Sequence, residues 1–138
     1  MASEFEVSRL DHVGIAVRRI DEASRLYVDV LGLKVHDVEV VPEQKAKVAF
    51  IPMGDSEIEL LESTAPDGAV AKFIEAKGEG IQHIALRVTS IEEALRKCKE
   101  AGLRLIDETP RKGAGGARIA FVHPKGANGV LLELCERP

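Results

Sequence analysis

The chain has no tryptophan, one tyrosine and four phenylalanines among 138 residues. A binding groove lined by stacked aromatic rings is therefore poorly provided for. Cysteine is equally scarce, with Cys98 and Cys135 alone, so there is no disulfide framework and no thiolate metal cluster. No apolar run approaches the roughly 20 residues that a membrane span needs. The N-terminus, Met1-Ala2-Ser3-Glu4-Phe5-Glu6, is acidic and lacks the apolar centre of a secretory leader, so a cytoplasmic setting is expected. Acids and bases are interspersed and the formal net charge is −4. No basic stripe stands out, which argues against a nucleic-acid partner. What remains is an ordinary soluble composition, 45% hydrophobic and 30% charged, in a length suited to one domain with a real core.

Within that composition one pattern occurs twice. Leu10-Asp11-His12-Val13-Gly14-Ile15-Ala16-Val17 is echoed by Ile81-Gln82-His83-Ile84-Ala85-Leu86-Arg87-Val88, 71 residues later. Ile20-Asp21-Glu22-Ala23 matches Ile91-Glu92-Glu93-Ala94 at the same offset, and so does Ala49-Phe50-Ile51 with Ala120-Phe121-Val122. Ile58-Glu59-Leu60-Leu61 matches Leu132-Glu133-Leu134-Cys135 at 74, because the second copy has a longer turn at 124–129.

The apolar stripe Ala23, Leu26, Tyr27, Val30 and Leu31 predicts a helix over about 21–31 with Gly32 as its stop. Ser90 with Glu93 forms a capping box for a second helix that ends at Gly102. Ile91, Ala94, Leu95, Cys98 and Ala101 are its apolar positions. Strands are expected at about 34–41, 46–51 and 57–62 in the first copy, and at 104–107, 118–123 and 130–135 in the second. The fold class is therefore α+β: two βαβββ modules in tandem, about 9–62 and 81–135, forming an open, curved, cleft-bearing mixed sheet. The connector, 66–80, holds a short helix begun at Asp67. Neither module has enough partner surface alone, so one domain is expected from the two.

Alternation along the strands sorts the side chains. Val13, Ile15 and Val17 form the packing face, and His12, Gly14 and Ala16 the other. In the twin, Ile84, Leu86 and Val88 pack while His83, Ala85 and Arg87 turn away. On the last strand of each module Glu59 and Glu133 face opposite to their leucine neighbours. His12, Glu59, His83 and Glu133 are thus expected to line one cleft. Two imidazoles and two carboxylates suit a borderline divalent ion such as Co²⁺, Mn²⁺, Ni²⁺ or Zn²⁺.

With these segments, and with Pro42-Glu43-Gln44, Gly80-Ile81-Gln82-His83, His123-Pro124-Lys125 and Gly129-Val130-Leu131-Leu132-Glu133-Leu134, the chain resembles the vicinal oxygen chelate (glyoxalase) superfamily. Within it the likeness is greatest to the methylmalonyl-CoA epimerase family, from Leu10 to Leu134. The resemblance implies an acyl-CoA substrate, interconversion of (2R)- and (2S)-methylmalonyl-CoA through an enolate, and a metal, Co²⁺ first, held by His12, His83, Glu133 and Glu59. It also implies a homodimer. Glu133 and Glu43 are then the acid–base pair, although Glu43 also reads as a solvated loop acid, and some relatives carry a Glu where this chain has Val48. Lys112, Gly113, Gly115 and Gly116 belong to a glycine-rich loop that either holds a substrate oxygen on its backbone N–H groups or is a mobile hairpin. His123 and Lys125 either approach the acyl-CoA or are turn residues. The alternatives are a glyoxalase I-like lyase acting on a glutathione hemithioacetal, an extradiol dioxygenase, and a non-catalytic small-molecule binder.

Overall fold

The computed structural model describes residues 4–138; the leader reading at Met1–Ser3 lies outside them. The chain divides into two compact units, one of His12–Gln82 and one that joins the segment up to Asp11 to His83–Pro138. The strand β1 (Val7–Ala16) gives its first half to one unit and its second half to the other.

In the 12–82 unit, β1 runs parallel to β4 (Ser56–Ser63). Strand β4 pairs antiparallel with β3 (Ala46–Met53), and β3 with β2 (Asp37–Val41). The helix α1 begins at Ile20, whose N–H donates to Glu62 Oε1 at 2.8 Å. Its core is Val17, Ile20, Ala49, Ile51 and Leu60, with Ile15, Ala23 and Tyr27 packed on it. The predicted helix is only partly α-helical. It is an α-helix over Ile20–Ser24 and widens into a π-type turn over Arg25–Val30. The wider turn rotates the later positions off the predicted stripe. Ala23 and Tyr27 pack, whereas Leu26, Val30 and Leu31 face solvent. The helix α2 (Ala69–Lys77) fills the connector, and its cap is Gly68 rather than Asp67, which instead pairs with Lys45.

In the other unit, which takes β5 (Gly80–Val88) from His83 onward, β5 runs parallel to β8 (Leu132–Glu136). Strand β8 pairs antiparallel with β7 (Arg118–Val122), and β7 with the two-residue β6 (Arg111–Lys112). The first half of β1 lies beside β5, with Glu6 and Thr89 exchanging hydrogen bonds of 2.8 and 3.0 Å. The capping box is real on one side: Ser90 Oγ accepts the Glu93 N–H at 3.3 Å at the head of α3 (Ile91–Glu100). Ile91 N–H donates to Glu136 Oε1 at 2.9 Å, repeating the Ile20–Glu62 bond of the first unit. Ile91, Ala94 and Leu95 of α3 are buried against Val88, Ala120, Val122 and Leu134.

The strand expected at 104–107 is reduced to a single bridge, Leu105 with Val122. The reason is local. The Asp107 carboxylate accepts the Phe121 N–H at 2.9 Å, the donor a neighbouring strand would have used. Pairing resumes only at Arg111. Among the described residues, no helix is long and apolar enough to cross a membrane.

Candidate active site

The parallel pair β1–β4 sets Gly14 beside Glu59, with His12 two residues back on the same face. The parallel pair β5–β8 sets Ala85 beside Glu133, with His83 two residues back. Each unit therefore holds one buried His–Glu pair. His12 Nδ1 lies 3.2 Å from Glu59 Oε2, and His83 Nε2 lies 3.3 Å from Glu133 Oε1. All four side chains are 6% exposed or less, so the carboxylates have lost most of their water. Such burial is tolerated only opposite positive charge or strong donors.

The packing around each pair repeats as well. Phe50 is the antiparallel partner of Glu59, and Phe121 that of Glu133. Phe121 meets the His83 ring edge-on, with centroids 5.5 Å apart. Gly14 and Ala85, without bulk, leave room over the pairs; Ala85, Ile119, Phe121 and Cys135 make an apolar floor in the second unit. Val48 is buried in the first unit on the same strand face as Phe50, so the place where some relatives carry a carboxylate is hydrocarbon here.

The donor set fits a divalent metal. Imidazole nitrogen with carboxylate oxygen suits borderline first-row ions. Two ligands on neighbouring positions of one ion, each bonded at about 2.1 Å, stand about 3.0–3.4 Å apart. The two His–Glu separations, 3.2 and 3.3 Å, fall in that range.

Glu43 lies exposed in the 3₁₀ turn Pro42–Gln44, between β2 and β3, beyond the Ala46–Ser63 end of the β3–β4 ladder. The turn is held by Lys45, which has φ 51°, accepts the Thr64 N–H at 2.9 Å and pairs with Asp67. The glycine-rich loop is its twin. Another 3₁₀ turn, Ala114–Gly116, sits between β6 and β7, and Gly116 takes φ 76° where Lys45 takes 51°. Gly113 is required by packing, since a Cβ there would come within 2.6 Å of Ile119 Cγ2. Lys112 is exposed in β6. His123 caps the turn Pro124–Gly126, its Nδ1 accepting the Lys125 N–H at 3.0 Å, and Lys125 is exposed.

Sequence reading missed a charged cluster in the second unit. The Asp11 side chain, 1% exposed, accepts from Arg137 Nη2 at 2.8 Å and from Arg87 Nε at 2.8 Å. The signal was present as a break in the repeat: Asp11 stands where the twin has Gln82, and Arg87 where the twin has Ala16. Arg111, over the Phe121 face at 5.5 Å, was missed too.

The Glyoxalase/Bleomycin resistance protein/Dioxygenase superfamily model matches residues 11–121. The ethylmalonyl-CoA/methylmalonyl-CoA epimerase of Cereibacter sphaeroides is 37% identical over 130 residues, 93% of this chain and 97% of that one. The chain belongs to this superfamily, and within it to the methylmalonyl-CoA epimerase family. Its paired βαβββ modules are the vicinal oxygen chelate fold that the sequence led us to expect. A Bacillus subtilis protein named YqjC, uncharacterised, is 45% identical over 94% of this chain and 93% of its own length. Among solved structures, a methylmalonyl-CoA epimerase of Streptomyces coelicolor in complex with 2-nitronate-propionyl-CoA has a TM-score of 0.90 at 35% identity, covering 95% of each chain. The Mycobacterium tuberculosis epimerase has a TM-score of 0.92 at 38% identity, covering all of this chain and 93% of that one.

Proposed function

We propose that this chain is a metal-dependent epimerase interconverting (2R)- and (2S)-methylmalonyl-CoA. The observation that carries the reading is the duplicated buried His–Glu pair, in a chain of the epimerase family. We take one ion per chain to be shared by His12 and Glu59 from one copy and His83 and Glu133 from the other. The internal repeat supports that sharing, because each copy supplies one nitrogen and one oxygen and neither completes a coordination sphere. Among candidate metals Co²⁺ stands first.

The proton at C2, between a carboxylate and a thioester carbonyl, is weakly acidic. A divalent ion, when bound, supplies fixed positive charge where the charge of deprotonation develops. In this reading Glu43 exchanges a proton with C2 from one face and Glu133 from the other, so removal on one side and return on the other inverts the centre. Glu43 suits this role because its turn is fixed at Lys45, whose carbonyl accepts the Thr64 N–H and whose ammonium pairs with Asp67, while its carboxylate stays in water. The backbone of the loop 112–116 would hold the substrate's carboxylate or thioester oxygen, and His123 and Lys125 would meet the acyl-CoA. A homodimer and a cytoplasmic setting belong to the same reading.

The deciding experiment is exchange of the C2 proton of methylmalonyl-CoA in deuterated solvent. Exchange that requires added Co²⁺ and stops with EDTA is the expected result. No exchange with Co²⁺, Mn²⁺, Ni²⁺ or Zn²⁺, together with turnover of the methylglyoxal–glutathione hemithioacetal, would overturn it in favour of a lyase. A metal content of one ion per chain, lost in both His12→Ala and His83→Ala, tests the sharing.

A further inference from the structure

We propose that Asp11 and Arg137 are positioning residues that hold the glycine-rich loop in its substrate-binding shape; the inference rests on the epimerase reading above. Arg137 makes a two-pronged contact with Asp11, Nη2 to Oδ1 at 2.8 Å and Nε to Oδ2 at 3.2 Å. Its other terminal nitrogen, Nη1, donates to the carbonyl oxygens of Ala114 at 3.1 Å and Gly115 at 3.4 Å. Arg87 closes on the same carboxylate from β5, Nε to Oδ2 at 2.8 Å. One buried carboxylate thus orients one guanidinium, and that guanidinium grips two successive carbonyls of the loop.

The consequence follows from the planar trans peptide, in which C=O and the next N–H point in opposite directions. Drawing the Ala114 and Gly115 carbonyls toward Arg137 turns the N–H groups of Gly115 and Gly116 to the opposite side. Gly115 and Gly116 take φ 68° and 76°, which glycine adopts without strain. Arg137 follows Glu133 along the chain, just beyond β8.

The internal repeat separates a role in binding from a role in folding. The twin positions of Asp11, Arg87 and Arg137 are Gln82, Ala16 and Ser63. The first unit builds the same βαβββ arrangement with none of the three charges. The twin turn, Pro42–Gln44, is instead held from outside by Lys45, Thr64 and Asp67. The charged device therefore accompanies the glycine-rich loop and is not demanded by the module.

The test compares Arg137→Met, Arg137→Lys and Asp11→Asn in the full Co²⁺-loaded chain. Arg137→Met should raise KM for methylmalonyl-CoA by about 10- to 100-fold, with kcat falling far less and Co²⁺ affinity unchanged. Arg137→Lys should recover part of the loss, and Asp11→Asn should fall between. Amide hydrogen exchange should quicken at residues 114–117 and nowhere else. Wild-type KM and wild-type loop exchange in Arg137→Met would overturn the proposal. Equal losses of kcat, Co²⁺ affinity and melting temperature would also overturn it, in favour of a purely structural ion pair. If Arg137→Met does not fold, Arg137→Lys and Asp11→Asn carry the same readouts. Should the wild type itself fail to turn over methylmalonyl-CoA, the epimerase reading falls, and loop exchange alone still decides the positioning role.

Discussion

Phe121 stands opposite Glu133 in the β7–β8 ladder, its ring edge-on to the His83 imidazole. The apolar ring removes water from one side of the pair, so the carboxylate depends on what faces it on the other. Glu133→Gln keeps the shape and removes the charge. We expect the chain to remain folded while Co²⁺ affinity falls by more than about 100-fold, beyond the 10- to 100-fold that an outer partner supplies. Titration calorimetry measures it directly. Melting gives a second reading, since an ion at 100 times its Kd adds about 2.7 kcal/mol of stability, which the variant should lack. Wild-type affinity in Glu133→Gln would remove Glu133 from the ligand set.

Glu43 separates chemistry from metal binding. It is exposed, its turn is fixed by backbone and by Lys45, and Glu43→Gln disturbs neither. Loss of a general acid–base group costs about 10²- to 10⁴-fold in rate. Glu43→Gln should lose that much in kcat, with KM, Co²⁺ affinity and melting temperature unchanged. The expected split is opposite to that of Arg137→Met, so the two variants measured side by side distinguish proton transfer from substrate placement. Full activity in Glu43→Gln would make it the solvated loop acid that its sequence context equally allowed.

What the sequence disclosed was whatever depends on local period. The alternation around His12 and His83, and around Glu59 and Glu133, located both pairs because strand geometry needs only neighbours. The repeat also carried helix starts: Ile20 and Ile91 match at one offset, and the glutamates that hold them, Glu62 and Glu136, match at another. What stayed hidden depends on contacts far along the chain. The Asp11–Arg137 contact spans 126 residues, and no periodicity announces it. The π-type turn of Arg25–Val30 was hidden for a different reason, because its hydrophobic stripe was written as though for an α-helix and three of its five positions, Leu26, Val30 and Leu31, stay in water. The lost strand at 104–107 turned on one carboxylate, Asp107, taking a ladder donor.

The cysteines give a check on the cluster around Asp11. Cys135 is fully buried, and that burial, followed by the neighbouring Asp11 carboxylate, pushes its thiol well above the usual range. Cys98, half-buried on α3, is raised by burial alone. Thiolate is the reactive form, so both should be slow. Iodoacetamide at pH 8 should add one label slowly, at Cys98, and a second only in denaturant, as followed by intact mass. In Asp11→Asn, a faster second label without denaturant would report that the cluster had opened. Labelling of Cys135 in the native wild type at the rate of a free thiol would contradict the burial described.

His123 gives a prediction in pH. Its pKa is lowered, by loss of water first and by the nearby Arg104 and Lys125 charges second. Its Nδ1 must also be unprotonated to accept the Lys125 N–H. The unfolded chain, with an ordinary imidazole near pH 6.5, therefore binds a proton more readily than the fold does at this site. Stability from His123 is complete above about pH 6.5 and is lost as pH falls through its lowered folded value. Asn at 123 keeps an acceptor and cannot titrate. Urea midpoints of the EDTA-treated chain at pH 7.5, 6.5 and 5.5 should fall more steeply for wild type than for His123→Asn, with the two agreeing best at pH 7.5. The other histidines are common to both proteins, so the difference between the curves isolates this ring. Parallel curves would mean that His123 holds its proton equally well folded and unfolded, and that the turn at Pro124 does not depend on its neutral form.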